Sequence, residues 1–297
     1  MTLTRAHALG LIGAAALLPS CSGGGGGAGN AIRIGSKNFT EEFVIAEIYA
    51  QALESKGLKV DRSKFDLGST QIAMAALEHG DIDLYPEYTG TMLIDVLHHA
   101  PLRDPKAIFD VVSSSMMKRG IAVLAPSPMN DSQALATTQA IAKKFGITTL
   151  SKLAPLASQL RLATIPEFTS RADGLPGLQK FYGGFKFAHV KSYDIGLKYD
   201  ALLQGSADVA TAFTTDGAIA ANHLVVIEDD RHFWPAYNVA PVLRLDALKG
   251  HPQIATILKA VSPLITDVAA QQMNYAVEHD KADPADVAAK FLKAHGL

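Results

Sequence analysis

The sequence predicts an α/β protein built as two similar lobes with a cleft between them. The first observation behind this is a phrase that occurs twice. Gln71-Ile72-Ala73 leads through Ala76-Leu77-Glu78-His79-Gly80-Asp81-Ile82-Asp83-Leu84 to Tyr88-Thr89-Gly90. Gly196-Leu197-Lys198 leads through Ala201-Leu202-Leu203-Gln204-Gly205-Ser206-Ala207-Asp208-Val209 to Phe213-Thr214-Thr215. Each copy reads as a helix ending at a glycine able to take the left-handed C-cap, then a short β-rich run and a turn. The second observation is a weaker echo upstream, in which Ile34 to Phe39-Thr40 matches Leu162 to Phe168-Thr169. The third is size: 297 residues, 48% of them hydrophobic and 19% charged, suffice for two lobes with a core each. Two copies of one plan make the gap between them the expected ligand site. Tyr88 and Phe213, equivalent residues at the ends of the two copies, are placed to meet that ligand.

The elements follow in order. Residues 1–21 read as an export signal: Arg5 and His7 precede an apolar run, Ala8 to Leu18, that is too short to span a bilayer. The run ends at Leu18-Pro19-Ser20-Cys21, which resembles a lipobox and makes Cys21, the single cysteine, the expected lipidation site. A plain signal-cleavage site that happens to contain a cysteine is the alternative. Residues 22–30, rich in glycine, form a flexible tether. Ala31 to Gly35 is a strand, and Glu41 to Lys56 is a helix with Thr40 as its N-cap and Glu41 and Glu42 at its positive end. Val60 to Leu67 and Gly120 to Ala125 are strands of the first lobe. A first crossover at Pro126-Ser127-Pro128 leads to a helix from Ser132 to Phe145, a strand near Leu160 to Ile165, the second copy of the phrase, and a strand at Leu224 to Ile227. The chain crosses back near Phe233-Trp234-Pro235, and Val239 to Leu245 rejoins the first lobe before the C-terminal helices. The lobes are then 31–126 with 236–297, and 127–235, joined by a two-segment hinge.

Composition and motifs exclude several functions. A net charge of −2 and the lack of a Lys/Arg cluster argue against nucleic acid. His98 and His99 are adjacent, the other histidines are scattered, and no zinc-type spacing occurs, so neither a metal nor another cofactor is expected. Asp81 and Asp83 recur as Ser206 and Asp208, the pattern of a loop entering a strand rather than of a catalytic pair. No nucleophile elbow, Walker loop or dinucleotide fingerprint is present, so catalysis is not expected.

Four segments carry a family resemblance: Gly35-Ser36-Lys37-Asn38-Phe39-Thr40-Glu41, Gly80 to Thr91 with Tyr85-Pro86-Glu87-Tyr88-Thr89-Gly90, Asp173-Gly174-Leu175-Pro176-Gly177-Leu178, and Pro235-Ala236-Tyr237-Asn238-Val239-Ala240-Pro241. From about Ile32 onward the chain resembles substrate-binding proteins of osmoprotectant ABC transporters, the glycine betaine, carnitine and choline binders of the ProX/OpuC/OsmF type. The resemblance implies a two-lobed periplasmic-binding-protein-like fold of type II with two hinge crossings. It also implies an exported, membrane-anchored or periplasmic monomer that delivers a quaternary-ammonium solute to an ABC permease. A trimethylammonium group has no N–H to donate and is held by aromatic faces instead, whereas a carboxylate needs cationic or N–H donors.

The resemblance puts Tyr88, Phe213 and Tyr237 on three positions of an aromatic box. Asp131 and Gln133 fall on the segment that supplies an acidic contact and the fourth ring. Lys37, Thr91 and Arg171 fall on positions that address the carboxylate. Gln133 stands where a tyrosine is usual, and Phe213 replaces a frequent tyrosine. A larger or more polar betaine, a different polar solute, and a sensory receptor partner are therefore the alternatives. Arg171 has a second reading, an ion pair with Asp173 or Glu167; Lys37 has one as a surface charge, and Tyr237 as hinge packing.

Overall fold

A computed structural model describes residues 31–297. The expected export signal with its lipidation site Cys21, and the expected tether at 22–30, lie outside the described residues.

Among the described residues ten strands form two five-stranded sheets. They are β1 (Ile32–Gly35), β2 (Val60–Lys64), β3 (Leu84–Tyr88), β4 (Ile121–Val123), β5 (Gln133–Thr137), β6 (Arg161–Thr164), β7 (His189–Ser192), β8 (Val209–Phe213), β9 (Val225–Ile227) and β10 (Val239–Arg244). The sheet orders are β2-β1-β3-β10-β4 and β7-β6-β8-β5-β9. In each sheet three parallel strands come first, and a fourth strand arriving from the other sheet runs antiparallel to both of its neighbours. The two sheets thus share one topology, as the repeated phrase requires, and the fold is the two-lobed α/β plan of type II binding proteins.

The repeat extends to one ion pair. Arg33 at the start of β1 donates from its backbone N and Nε to Asp83 Oδ2, at 3.0 and 2.8 Å. Arg161 at the start of β6 does the same to Asp208 Oδ2, at 2.9 and 2.8 Å. Asp83 and Asp208 therefore close a loop onto a strand end in both copies. Gly80 takes the left-handed conformation (φ +79°) that ends the preceding helix, and the loop hangs from that turn.

Two local expectations are corrected. Ser132 to Phe145 is not one helix: Gln133–Thr137 is the strand β5, and only Gln139–Phe145 is helical, capped by Thr138 accepting from Ile141 N. Gln-Ala-Leu-Ala-Thr has no strong local preference, and pairing with β8 on one side and β9 on the other decides its conformation. Thr40 is not the cap either. The helix Thr40–Glu54 has Phe39 in the cap position, with extended backbone and no side-chain hydrogen bond.

The C-terminal helices Gln253–Val261 and Pro284–Ala294 pack on the helix Thr40–Glu54, where Val44, Ile48, Leu258, Ala288 and Phe291 share one core. The two connections between sheets are stitched together. Asn130 and Asn238 form an antiparallel bridge, Tyr237 N donates to Asn130 Oδ1 at 2.7 Å, and Asp131 N donates to Tyr237 O at 3.2 Å.

Candidate functional site

All eight residues singled out in the sequence line one cleft of about 200 Å³: Lys37, Tyr88, Thr91, Asp131, Gln133, Arg171, Phe213 and Tyr237. They converge because β3 and β8 end at the same place in their sheets, and because the loops after β1, β3 and β6 face each other. Tyr88 closes β3 opposite Val239, and Phe213 closes β8 opposite Gln133. Thr91 follows Tyr88 in a short helical turn, and Gly90 lets Tyr237 approach: a Cβ on it would stand 2.7 Å from the Tyr237 ring.

A further ring joins the wall. Phe39 stacks on Tyr88 with centroids 6.2 Å apart and on Phe213 with centroids 6.5 Å apart. The sequence signal for Phe39 was available, since it pairs with Phe168 in the upstream echo, and both line the cleft.

Behind the wall lie buried carboxyls. Tyr88 OH donates to Glu41 Oε1 at 2.6 Å, and Asn274 Nδ2 donates to Glu41 Oε2 at 2.8 Å. Thr215 donates to Asp131 Oδ1 through its hydroxyl at 2.6 Å and its backbone N at 3.3 Å. Burial pushes the Asp131 carboxyl well above the usual range, helped by the nearby charges of Glu41 and Asp216 and opposed by Thr215. Glu41 is raised for the same first reason, against the hydrogen bonds from Thr215, Tyr88 and Asn274. Among the described residues Glu41 has no lysine or arginine partner; it stands behind the Tyr88 ring, through the Tyr88 hydroxyl.

The two cations are already matched. Lys37 Nζ meets Glu87 Oε1 at 2.6 Å and Glu42 Oε1 at 3.6 Å, and it sits 4.5 Å from the centre of the Tyr88 ring. It is a buried ion pair rather than a surface charge. Arg171 makes a two-point contact with Asp173, Nε to Oδ1 at 2.8 Å and Nη2 to Oδ2 at 2.6 Å. Burial lowers the Arg171 pKa, but the bonds and charge of Asp173 more than offset this, and the net shift is upward. Asp173, almost fully buried, also accepts from Tyr237 OH at 2.6 Å and from Gln133 Nε2 at 2.7 Å. Trp234 Nε1 fixes its backbone by donating to Asp173 O at 2.8 Å. The Asp173 carboxylate accepts only, so the Gln133 amide nitrogen must face it and Gln133 Oε1 points elsewhere. The central role of Asp173 was not legible, because its partners are scattered from Gln133 to Tyr237.

Residues 30–294 match the family model described as the substrate binding domain of ABC-type glycine betaine transport systems. A glycine-betaine-binding protein of Pseudomonas aeruginosa is 34% identical over 276 residues, 90% of this chain and 88% of that protein. An ergothioneine transport permease/ergothioneine binding protein of Helicobacter pylori is 31% identical over 265 residues, 89% of this chain but 47% of that longer protein. A solved structure titled as a glycine betaine/carnitine/choline ABC transporter is 32% identical, with a TM-score of 0.74, covering 89% of this chain and 98% of that one.

Proposed function

The chain belongs to the substrate-binding family of ABC-type glycine betaine transport systems, and we propose that its cleft takes a quaternary-ammonium solute against the rings of Phe39, Tyr88, Phe213 and Tyr237. As a family member it is an extracytoplasmic solute-binding protein that hands its ligand to an ABC permease.

The observation that carries the ligand reading is the pairing of that wall with the carboxyls Glu41 and Asp131. Cation–π attraction of about 0.5 to 2 kcal/mol per ring suits a methylated ammonium, which offers no hydrogen bond. Thr91 and Arg171 also line the cleft and are the groups proposed to meet a ligand hydroxyl or carboxylate. Lys37 acts through Glu87 and Tyr88 rather than as a free cation. Strand membership supports lobes of 31–126 with 236–297 and of 127–235: β1 to β4 and β10 share one sheet, β5 to β9 the other. The lipobox-like Leu18-Pro19-Ser20-Cys21 supports anchoring through a lipid on Cys21.

Isothermal titration with glycine betaine and choline side by side tests the reading. Binding of either supports the ring site, and silence toward both and toward a larger betaine would remove it. A second reading is a larger betaine with a ring N–H. Gln133 turns its amide nitrogen to Asp173, which leaves Oε1 as an acceptor, and the Helicobacter pylori relative is named for ergothioneine. Adding ergothioneine to the same titration separates the two.

A further inference from the structure

We infer that Asp95 is a resident carboxylate that caps Arg171 and biases the cleft against ligands carrying a carboxylate, in favour of quaternary-ammonium ligands with net positive charge. This rests on the quaternary-ammonium reading of the cleft and names the ligand class within it.

Asp95 follows β3 of the first sheet, inside a π-helical stretch, Met92–Val96. Such stretches are costly and tend to occur at functional sites. Arg171 follows β6 of the second sheet, so the two residues meet across the cleft, and both line it. Asp173 occupies the Nε and Nη2 edge of the guanidinium. Nη1 remains, and it faces Asp95 Oδ2 at 3.6 Å, with both side chains 14% exposed. That distance is too long for a hydrogen bond but short enough for strong charge attraction. Gln71 Nε2 donates to the same Asp95 oxygen at 2.5 Å, in the exposed mouth of the cleft.

The free edge of Arg171 is where a ligand carboxylate would dock, in the two-point geometry that guanidinium favours. Docking there puts a second carboxylate beside Asp95. The other cation offers no relief, because Lys37 is matched by both Glu87 and Glu42. A zwitterion must therefore separate Asp95 from Arg171 or accept like-charge repulsion at short range. A ligand ending in a hydroxyl does neither, since a hydroxyl can donate to Asp95.

The test is titration of the wild type and of Asp95→Asn with choline and with glycine betaine. Asparagine keeps the size and removes the charge. The wild type is expected to bind choline more tightly than glycine betaine. Asp95→Asn is expected to tighten glycine betaine by about ten-fold or more while choline moves less than about three-fold. Choline controls for a changed lobe closure, which would move both ligands together. An unchanged ratio of the two affinities, or weaker glycine betaine binding in the variant, would overturn the role of Asp95 and leave the ring site standing. Binding of neither ligand by the wild type would overturn the role of Asp95, and silence toward a larger betaine as well would overturn the ring site.

Discussion

The ring of Phe39 lies parallel to that of Phe213, 6° between planes, although one follows β1 in the first sheet and the other ends β8 in the second. Two rings in this relation close the aromatic wall only when the lobes meet. Binding energy gained at the wall is therefore also energy gained by closure, because contacts made in one state alone are what shift an equilibrium. Phe39→Ala is expected to weaken choline binding about ten-fold, near 1.4 kcal/mol, with Phe39→Tyr close to wild type. Titration calorimetry reads both, and an unchanged Phe39→Ala would take this ring out of the site.

Asp173 holds Arg171, Gln133 and Tyr237 with one carboxylate. Removing it takes the two-point partner from a largely buried guanidinium and leaves only Asp95 at 3.6 Å, a change expected to cost about 3 kcal/mol. Asp173→Ala should show that loss in urea unfolding. Tyr237→Phe, which removes one hydroxyl that donates to Asp173 and accepts from Gln133, should lose about 1 kcal/mol. Equal, small losses in both would mean that the network contributes little.

Lys37 is tied to Glu87 and Glu42, so its replacement should be felt first as stability. Lys37→Met leaves the buried Glu87 carboxylate without its cation and should cost about 3 kcal/mol or more. A fall in glycine betaine affinity with an unchanged melting temperature would instead make Lys37 a direct ligand contact.

Burial raises the Glu42 carboxyl to about 8, against the pull of Lys37, and the neighbouring Glu87 adds to the shift. The folded state then keeps a proton that the unfolded chain gives up near its ordinary value of 4.5. The sign follows: this contribution is complete below about pH 4.5 and is lost as the pH rises through about 8. Glu42→Gln mimics the protonated form and should flatten the fall in stability across that window. Chemical denaturation at several pH values measures it, and parallel curves for the two proteins would refute the assignment.

Asp131 gives a binding counterpart. Its carboxyl is held above the usual range by burial, with Glu41 and Asp216 adding to the shift. A bound cation favours the ionised form, so binding should release protons and strengthen as the pH rises through the raised value. Titration in buffers of different ionisation enthalpy should detect the release, and Asp131→Asn should abolish it.

Much of this site was legible in the sequence because it is duplicated. Tyr88 and Phe213 end two copies of one phrase, and Phe39 and Phe168 two copies of another, so the repeat locates rings without any coordinates. Asp83 and Asp208 could likewise be read as structural, and Arg33 and Arg161 prove to be their partners. The strand Gln133–Thr137 was not legible, because its alanines carry no period and its neighbours arrive from far along the chain. The pairing of Arg171 with Asp173 was among its open readings, and the structure shows it; its facing of Asp95 depends on how two sheets face each other, which no local pattern encodes.

The central claim is that charge on a methylated ammonium, met by aromatic faces, holds the ligand. The most direct measurement compares choline with its uncharged carbon isostere, 3,3-dimethyl-1-butanol, by titration calorimetry on the same protein. The ring site predicts binding of choline and at least about hundred-fold weaker binding of the isostere, roughly 2.7 kcal/mol shared among the rings. Equal affinities would contradict it, and would make the wall a hydrophobic surface that reads shape instead of charge.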